Sequence, residues 1–64
     1  MTHEETSLQT RKTLAAALKR QMKHKSLRKI TVNDIISDCG LNRKTFYYHF
    51  EDIRALLKWS LEQD

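Results

Sequence analysis

Sixty-four residues, with twelve Lys and Arg against eight Asp and Glu (net charge +4), one glycine, no proline and one cysteine, make one small domain at most. The lone Cys39 excludes an internal disulfide and argues against a structural zinc site, which needs several ligands at set spacings; no cofactor is expected. No stretch is apolar for long enough to span a membrane or form a signal-peptide core, so the reading is of a soluble, cytoplasmic protein without a membrane partner.

A sheet protein of this size needs several turn residues, so the near-absence of glycine and proline predicts an all-α domain. Residues 1–7 are polar and expected to fray. From 8 to about 25 the residues are good helix formers, and Leu14, Ala15, Leu18 and Met22 fall at i, i+1, i+4 and i+8 as one apolar stripe, which Leu8 extends by two turns. Charge collects here. After Glu5 the next acid is Asp34, and between them lie Arg11, Lys12, Lys19, Arg20, Lys23, Lys25, Arg28 and Lys29, all read as uncompensated; from Asp34 onward acids outnumber bases. One strongly positive end suits a polyanion such as nucleic acid, with Lys25, Arg28 and Lys29 best placed to attract it, although charge alone fits a solvated helix face equally well. The segment 25–30 breaks the periodicity, and Leu27 and Ile30 are expected to plug the core.

A second helix announces itself at both ends. Thr31 is a good N-cap, and Asp34, three residues on, completes a capping-box-like pair at the positive helix end. Val32, Ile35, Ile36 and Cys39 follow at i, i+3, i+4 and i+7, and Gly40 stands where a C-cap wants a residue tolerant of positive φ. Cys39 reads as a small buried hydrophobe rather than a reactive thiol. After Gly40 and Leu41, Asn42 is a favoured N-cap, so a third helix starts at Arg43. In it Phe46 and Phe50 turn inward together, while Lys44, Tyr47 and Tyr48 lie on a different face. Asp52 then caps a fourth helix over about 53–62, with Ile53, Leu56, Leu57 and Leu61 as its stripe and Trp59 packing at the edge. His3 and His24 have no partner at metal-ligand spacing.

Two short helices joined by a three-residue turn containing glycine are the mark of a helix-turn-helix, here over about 31–50, with Leu41 filling the elbow. The whole is predicted as a small homeodomain-like domain of three helices plus the start of a fourth. In this motif the second helix enters the DNA major groove and the first crosses the backbone. Arg43 and Lys44 can donate to guanine edges, and Thr45 can offer its hydroxyl or methyl. Tyr47, Tyr48 and His49 are better phosphate donors than base readers, and Thr31 with the backbone amides at the start of helix 2 forms a further phosphate site. Two adjacent tyrosines cannot both face the core of a short helix.

Three rival readings exist. An enzyme built on Ser37, His49 and Asp52 lacks a nucleophile elbow, a glycine loop and room for a cleft, so no catalytic residue is assigned. A membrane-surface peptide built on the first helix fails because its apolar face has little bulk and is needed as core. A homeodomain-like protein-interaction module without DNA binding would keep the fold but has no need of Arg43, Lys44, Tyr47 and Tyr48 on one exposed surface.

The stretches Lys29-Ile30-Thr31-Val32-Asn33-Asp34-Ile35-Ile36 and Cys39-Gly40-Leu41-Asn42-Arg43-Lys44-Thr45-Phe46-Tyr47-Tyr48-His49-Phe50 resemble the N-terminal helix-turn-helix domain of the TetR family of transcriptional regulators. Within it, Asn42-Arg43, the run from Thr45 to Phe50, and Trp59 are most similar to regulators of the dihydroxyacetone-kinase operon type. The resemblance covers nearly the whole chain. It implies base-edge contacts from Arg43, Lys44 and Thr45 and phosphate contacts from Thr31, Tyr47, and Tyr48 or His49. It implies a pseudo-palindromic double-stranded operator, a homodimer for the full-length protein and a monomer for the isolated domain. A helical C-terminal domain for dimerisation and a small-molecule effector is expected to be absent from residues 1–64. Two positions depart from the family pattern. Ile53 stands where many members carry a phosphate-gripping lysine, and Ile36 where alanine is usual, which predicts a slightly wider crossing of helices 2 and 3.

Overall fold

The computed structural model describes residues 3–63, in the order α1 (His3–Met22), a single 3-10 turn (Leu27–Lys29), α2 (Val32–Cys39), α3 (Arg43–His49) and α4 (Ile53–Glu62). No strand occurs among the described residues. The all-α architecture expected from composition, with the short helices expected from the sequence pattern, is the one found.

The first helix departs from expectation at both ends. Its backbone is helical from His3, earlier than the start near Leu8 expected from the sequence; Met1 and Thr2 lie outside the described residues. Polar Glu, Gln and Thr are compatible with a helix when no glycine or proline interrupts them. The helix ends at Met22 rather than near 25, and the amides of Lys23, His24 and Lys25 turn back onto the carbonyls of Arg20 and Gln21 at 2.9–3.2 Å.

The core is built by every helix. Leu14, Ala17, Leu18, Ile35, Phe46 and Leu56 are fully buried, joined by Ala15, Ile30, Ile36 and Phe50. α1 packs against α2, α3 and α4, and α2 against α3. Ala17, three residues after Leu14, widens the α1 stripe beyond the expected positions. Leu8 and Met22, both expected on that stripe, are instead 40% and 43% exposed. Both stand outside the stretch from Leu14 to Leu18 in which α1 is buried. Leu27 and Ile30 do plug the core, Ile30 buried and Leu27 half-buried.

In α4 the inward face runs through Ile53, Leu56, Leu57 and Ser60. Ser60, one turn beyond Leu56, takes the buried place expected of Leu61, which is 65% exposed. Trp59 packs at the edge, its ring 6.0 Å from Phe50.

Candidate nucleic-acid interface

The interface starts from two helix caps. Thr31 is extended at φ −110°, ψ 163° and its hydroxyl accepts the Asp34 amide at 3.1 Å. The Asp34 carboxylate in turn accepts the Thr31 amide at 3.0 Å, closing the capping box. Those bonds and the nearby Lys25 ammonium, 3.0 Å away, hold the Asp34 carboxyl below its ordinary range, the Thr31 amide contributing most. The Thr31 oxygen is therefore engaged as an acceptor, which leaves its proton as the group able to reach a phosphate.

At the other end of α2, Gly40 adopts φ 75°, and the amides of Gly40 and Leu41 both fold onto the Ile36 carbonyl, the latter at 3.1 Å. This left-handed residue turns the chain sharply enough for α3 to start at Arg43. Leu41 is half-buried against the core at the elbow, and Ile36, where the family pattern favours alanine, is 8% exposed within it.

Asn42 caps α3 through Oδ1, which accepts the Thr45 amide and the Thr45 hydroxyl, both at 2.8 Å. Thr45 is half-buried. Of the hydroxyl or methyl that it could offer a base edge, the proton is held within the cap, leaving the methyl and the oxygen lone pairs.

The helix is anchored from behind by aromatic rings. Phe46 is fully buried and sits 6.2 Å from Phe50, which continues the chain of rings to Trp59. Tyr47 leans edge-on against Phe46 at 5.3 Å yet stays 52% exposed. Tyr48 is 70% exposed, with its ring perpendicular to that of His49 at 4.9 Å. Arg43 and Lys44 are exposed at the start of the helix and His49 is half-buried near its end. The structure thus brings Arg43, Lys44, Tyr47 and Tyr48 onto the uncovered side of α3, while Thr31 stands apart at the start of α2.

The charge pattern needs correction. Arg20 and Lys25, read from the sequence as uncompensated, are paired. Arg20 donates through Nε to Asp38 at 2.7 Å, with a second contact at 2.6 Å, and Gln21 adds a bond to the same carboxylate at 3.0 Å. Asp38 is held below the usual carboxylate range by the Arg20 bond first and by Gln21 second. Lys25 is bound to Asp34. These pairings join residues far apart in sequence, and no local pattern announces them.

Asp52, which a catalytic reading would group with Ser37 and His49, caps α4 by accepting the Ala55 amide at 2.9 Å. Ile53 is half-buried against the core. Its exposed neighbour Arg54, which no local pattern marks, stands in the first turn of α4. Among the described residues no group of three or more His, Cys, Asp or Glu could hold a metal ion, and no helix is long and apolar enough to cross a membrane.

A capped helix, a glycine elbow and a second helix with a basic and aromatic outer face define a helix-turn-helix domain. The sequence profile of the "Bacterial regulatory proteins, tetR family" matches residues 14–58, and the chain belongs to the TetR family. It is 36% identical over 58 residues to the HTH-type dhaKLM operon transcriptional activator DhaS of Lactococcus lactis subsp. lactis (strain IL1403), an alignment that covers 91% of this chain and 31% of that relative. The chain thus spans about a third of the relative's length.

Proposed function

We propose that this chain is the operator-reading head of a transcription regulator and binds double-stranded DNA sequence-specifically, with α3 in the major groove. The observation that carries this reading is the two-sidedness of α3: Phe46 and Phe50 are buried while Tyr47 and Tyr48 are 52% and 70% exposed beside exposed Arg43 and Lys44. A helix locked rigidly from behind and polar in front suits insertion into a groove. Arg43, Lys44 and Thr45 at its leading end meet base edges. Tyr47, Tyr48 and His49 grip phosphates, joined by Thr31 at the start of α2.

On this reading the protein acts by binding rather than by catalysis, in the cytoplasm, where its DNA lies. The L. lactis relative is named as an operon activator, which supports a role at an operator for this chain. For the full-length protein the same reading includes pairing of two heads on a pseudo-palindromic operator and response to a small-molecule effector.

Fluorescence anisotropy with operator-like and unrelated duplexes at several salt concentrations tests the reading. Binding is expected to weaken steeply with salt, because phosphate neutralisation supplies much of the affinity. Lys44→Ala and Arg43→Ala are expected to relax sequence preference by about 1–3 kcal/mol for each base interaction removed, whereas Tyr47→Phe weakens binding to all sequences alike. Binding that is absent or indifferent to salt would sink the proposal. A shift in preferred sequence on Tyr47→Phe would overturn the division of roles.

A further inference from the structure

A groove opens where the 3-10 turn, the first residue of α2 and the first turn of α4 converge, lined by Leu27, Arg28, Val32, Asp52, Ile53 and Arg54. Its two arginines come from elements far apart in sequence and are both exposed. Leu27, Val32 and Ile53, which share its lining, are all partly buried and packed on the core. The groove's acid, Asp52, already has one carboxylate oxygen on the Ala55 amide at 2.9 Å. Two guanidinium groups against one carboxylate leave the groove net positive.

A groove lined by both apolar side chains and two arginines matches a particular chemistry. A sugar–phosphate strand alternates apolar deoxyribose edges with anionic phosphates, and guanidinium is the side chain best suited to bidentate phosphate contact. The groove also lies beside the proposed reading surface. One wall starts at Val32, next to Thr31, and the other starts at Asp52, two residues after Phe50 closes α3. We propose that Arg28 and Arg54 form a phosphate clamp that holds one strand of the duplex alongside the major groove occupied by α3. The clamp rests on the DNA-binding reading above and adds to it a contact site made by the 3-10 turn and α4.

The test is a salt series of anisotropy titrations on the 64-residue chain and its variants, with helical content checked by circular dichroism. Arg28→Gln/Arg54→Gln is expected to weaken binding to every duplex by a similar factor. It should also lower the slope of log affinity against log salt by about 1.8, or about 0.9 for each phosphate no longer gripped. Arg28→Lys/Arg54→Lys keeps the charges and is expected to keep the slope. Lys12→Gln/Lys19→Gln removes the same charge from a separate groove beside Trp59 and is expected to leave the slope unchanged. If the glutamine pair does not fold, Arg54→Gln alone is measured instead, with a slope change of about 0.9. An unchanged slope in the glutamine variants of Arg28 and Arg54, while the parent chain binds duplex, overturns the clamp. An equal loss of slope in the lysine pair overturns it too, because bulk charge then accounts for the effect. Failure of the parent chain to bind any duplex overturns the DNA-binding reading itself.

Discussion

Asn42 and Thr45 are joined twice: one side-chain oxygen of Asn42 accepts both the amide and the hydroxyl of Thr45, each at 2.8 Å. The start of α3 is thereby fixed by a residue that stands just outside it. Asn42→Ala is expected to destabilise the domain by about 1 kcal/mol, within the usual range for losing a helix N-cap, while Asn42→Asp stays near the parent. Urea unfolding followed by circular dichroism checks both, and equal stability of Asn42→Ala and the parent would show that the cap contributes nothing.

Gly40 offers a cleaner separation of backbone from packing. A methyl group added there meets nothing within 4 Å, so any penalty comes from φ 75° alone. Gly40→Ala is expected to cost about 1–2 kcal/mol, the usual penalty of a left-handed conformation for an L-residue, and Gly40→Asn less. A thermal melt distinguishes these, and a cost for alanine no larger than for asparagine would contradict the backbone explanation.

Two aromatic residues of α3, two positions apart, are expected to behave in opposite ways. Phe46 has no exposure, so Phe46→Ala creates a cavity costing about 3–5 kcal/mol, enough to unfold much of a domain this small. Tyr48, 70% exposed, is expected to lose about 0.5 kcal/mol or less on Tyr48→Ala yet to lose DNA affinity. Unfolding curves and anisotropy on the same samples would show the split; a large stability loss at Tyr48 would make it a structural residue.

Acid is expected to weaken the fold through Asp34 and Asp38. Both carboxyls are held below their ordinary value in the folded chain, Asp34 chiefly by the Thr31 amide and Asp38 chiefly by Arg20. A lowered folded pKa gives stability that is fully present above the unfolded value of about 3.9 and is lost as pH falls through the folded value. Stability should therefore be flat from neutral pH to about 5 with respect to these groups, and decline below about 4. Asp38→Asn should flatten part of that decline, as seen in urea midpoints across pH. An unaltered acid limb in that variant would remove Asp38 from the account.

What could be read directly from the chain was whatever is decided locally. The Thr31–Asp34 capping box, the Gly40 turn, the Asn42 cap and the limits of α3 and α4 each depend on residues within a few positions of one another, and all stand where the sequence pattern indicated. Less legible was how far each apolar stripe is covered. Leu8 and Met22 lie outside the buried stretch of α1, and Leu61 is exposed because α4 turns Ser60 toward the core instead. The Arg20–Asp38 pair and the Arg28–Arg54 groove depend on how whole elements meet, and nothing in the local spacing of those residues announces them. For the candidate site, the split of α3 into phenylalanines behind and tyrosines in front was legible from its period. The capture of the Thr45 proton by Asn42 was not.

On the proposed DNA-binding reading, the brevity of α3 sets a limit on what one such head can say. Seven residues make about 10 Å of helix, which spans about three base pairs at roughly 3.4 Å each. A three-letter word in a four-letter alphabet carries about six bits and recurs by chance about once in 64 positions, against roughly 10⁶–10⁹ competing sites in a genome. One copy of this surface therefore holds a syllable rather than an address. A unique genomic position has to be spelled by repeating the head, or by adding the shape of the DNA between the syllables.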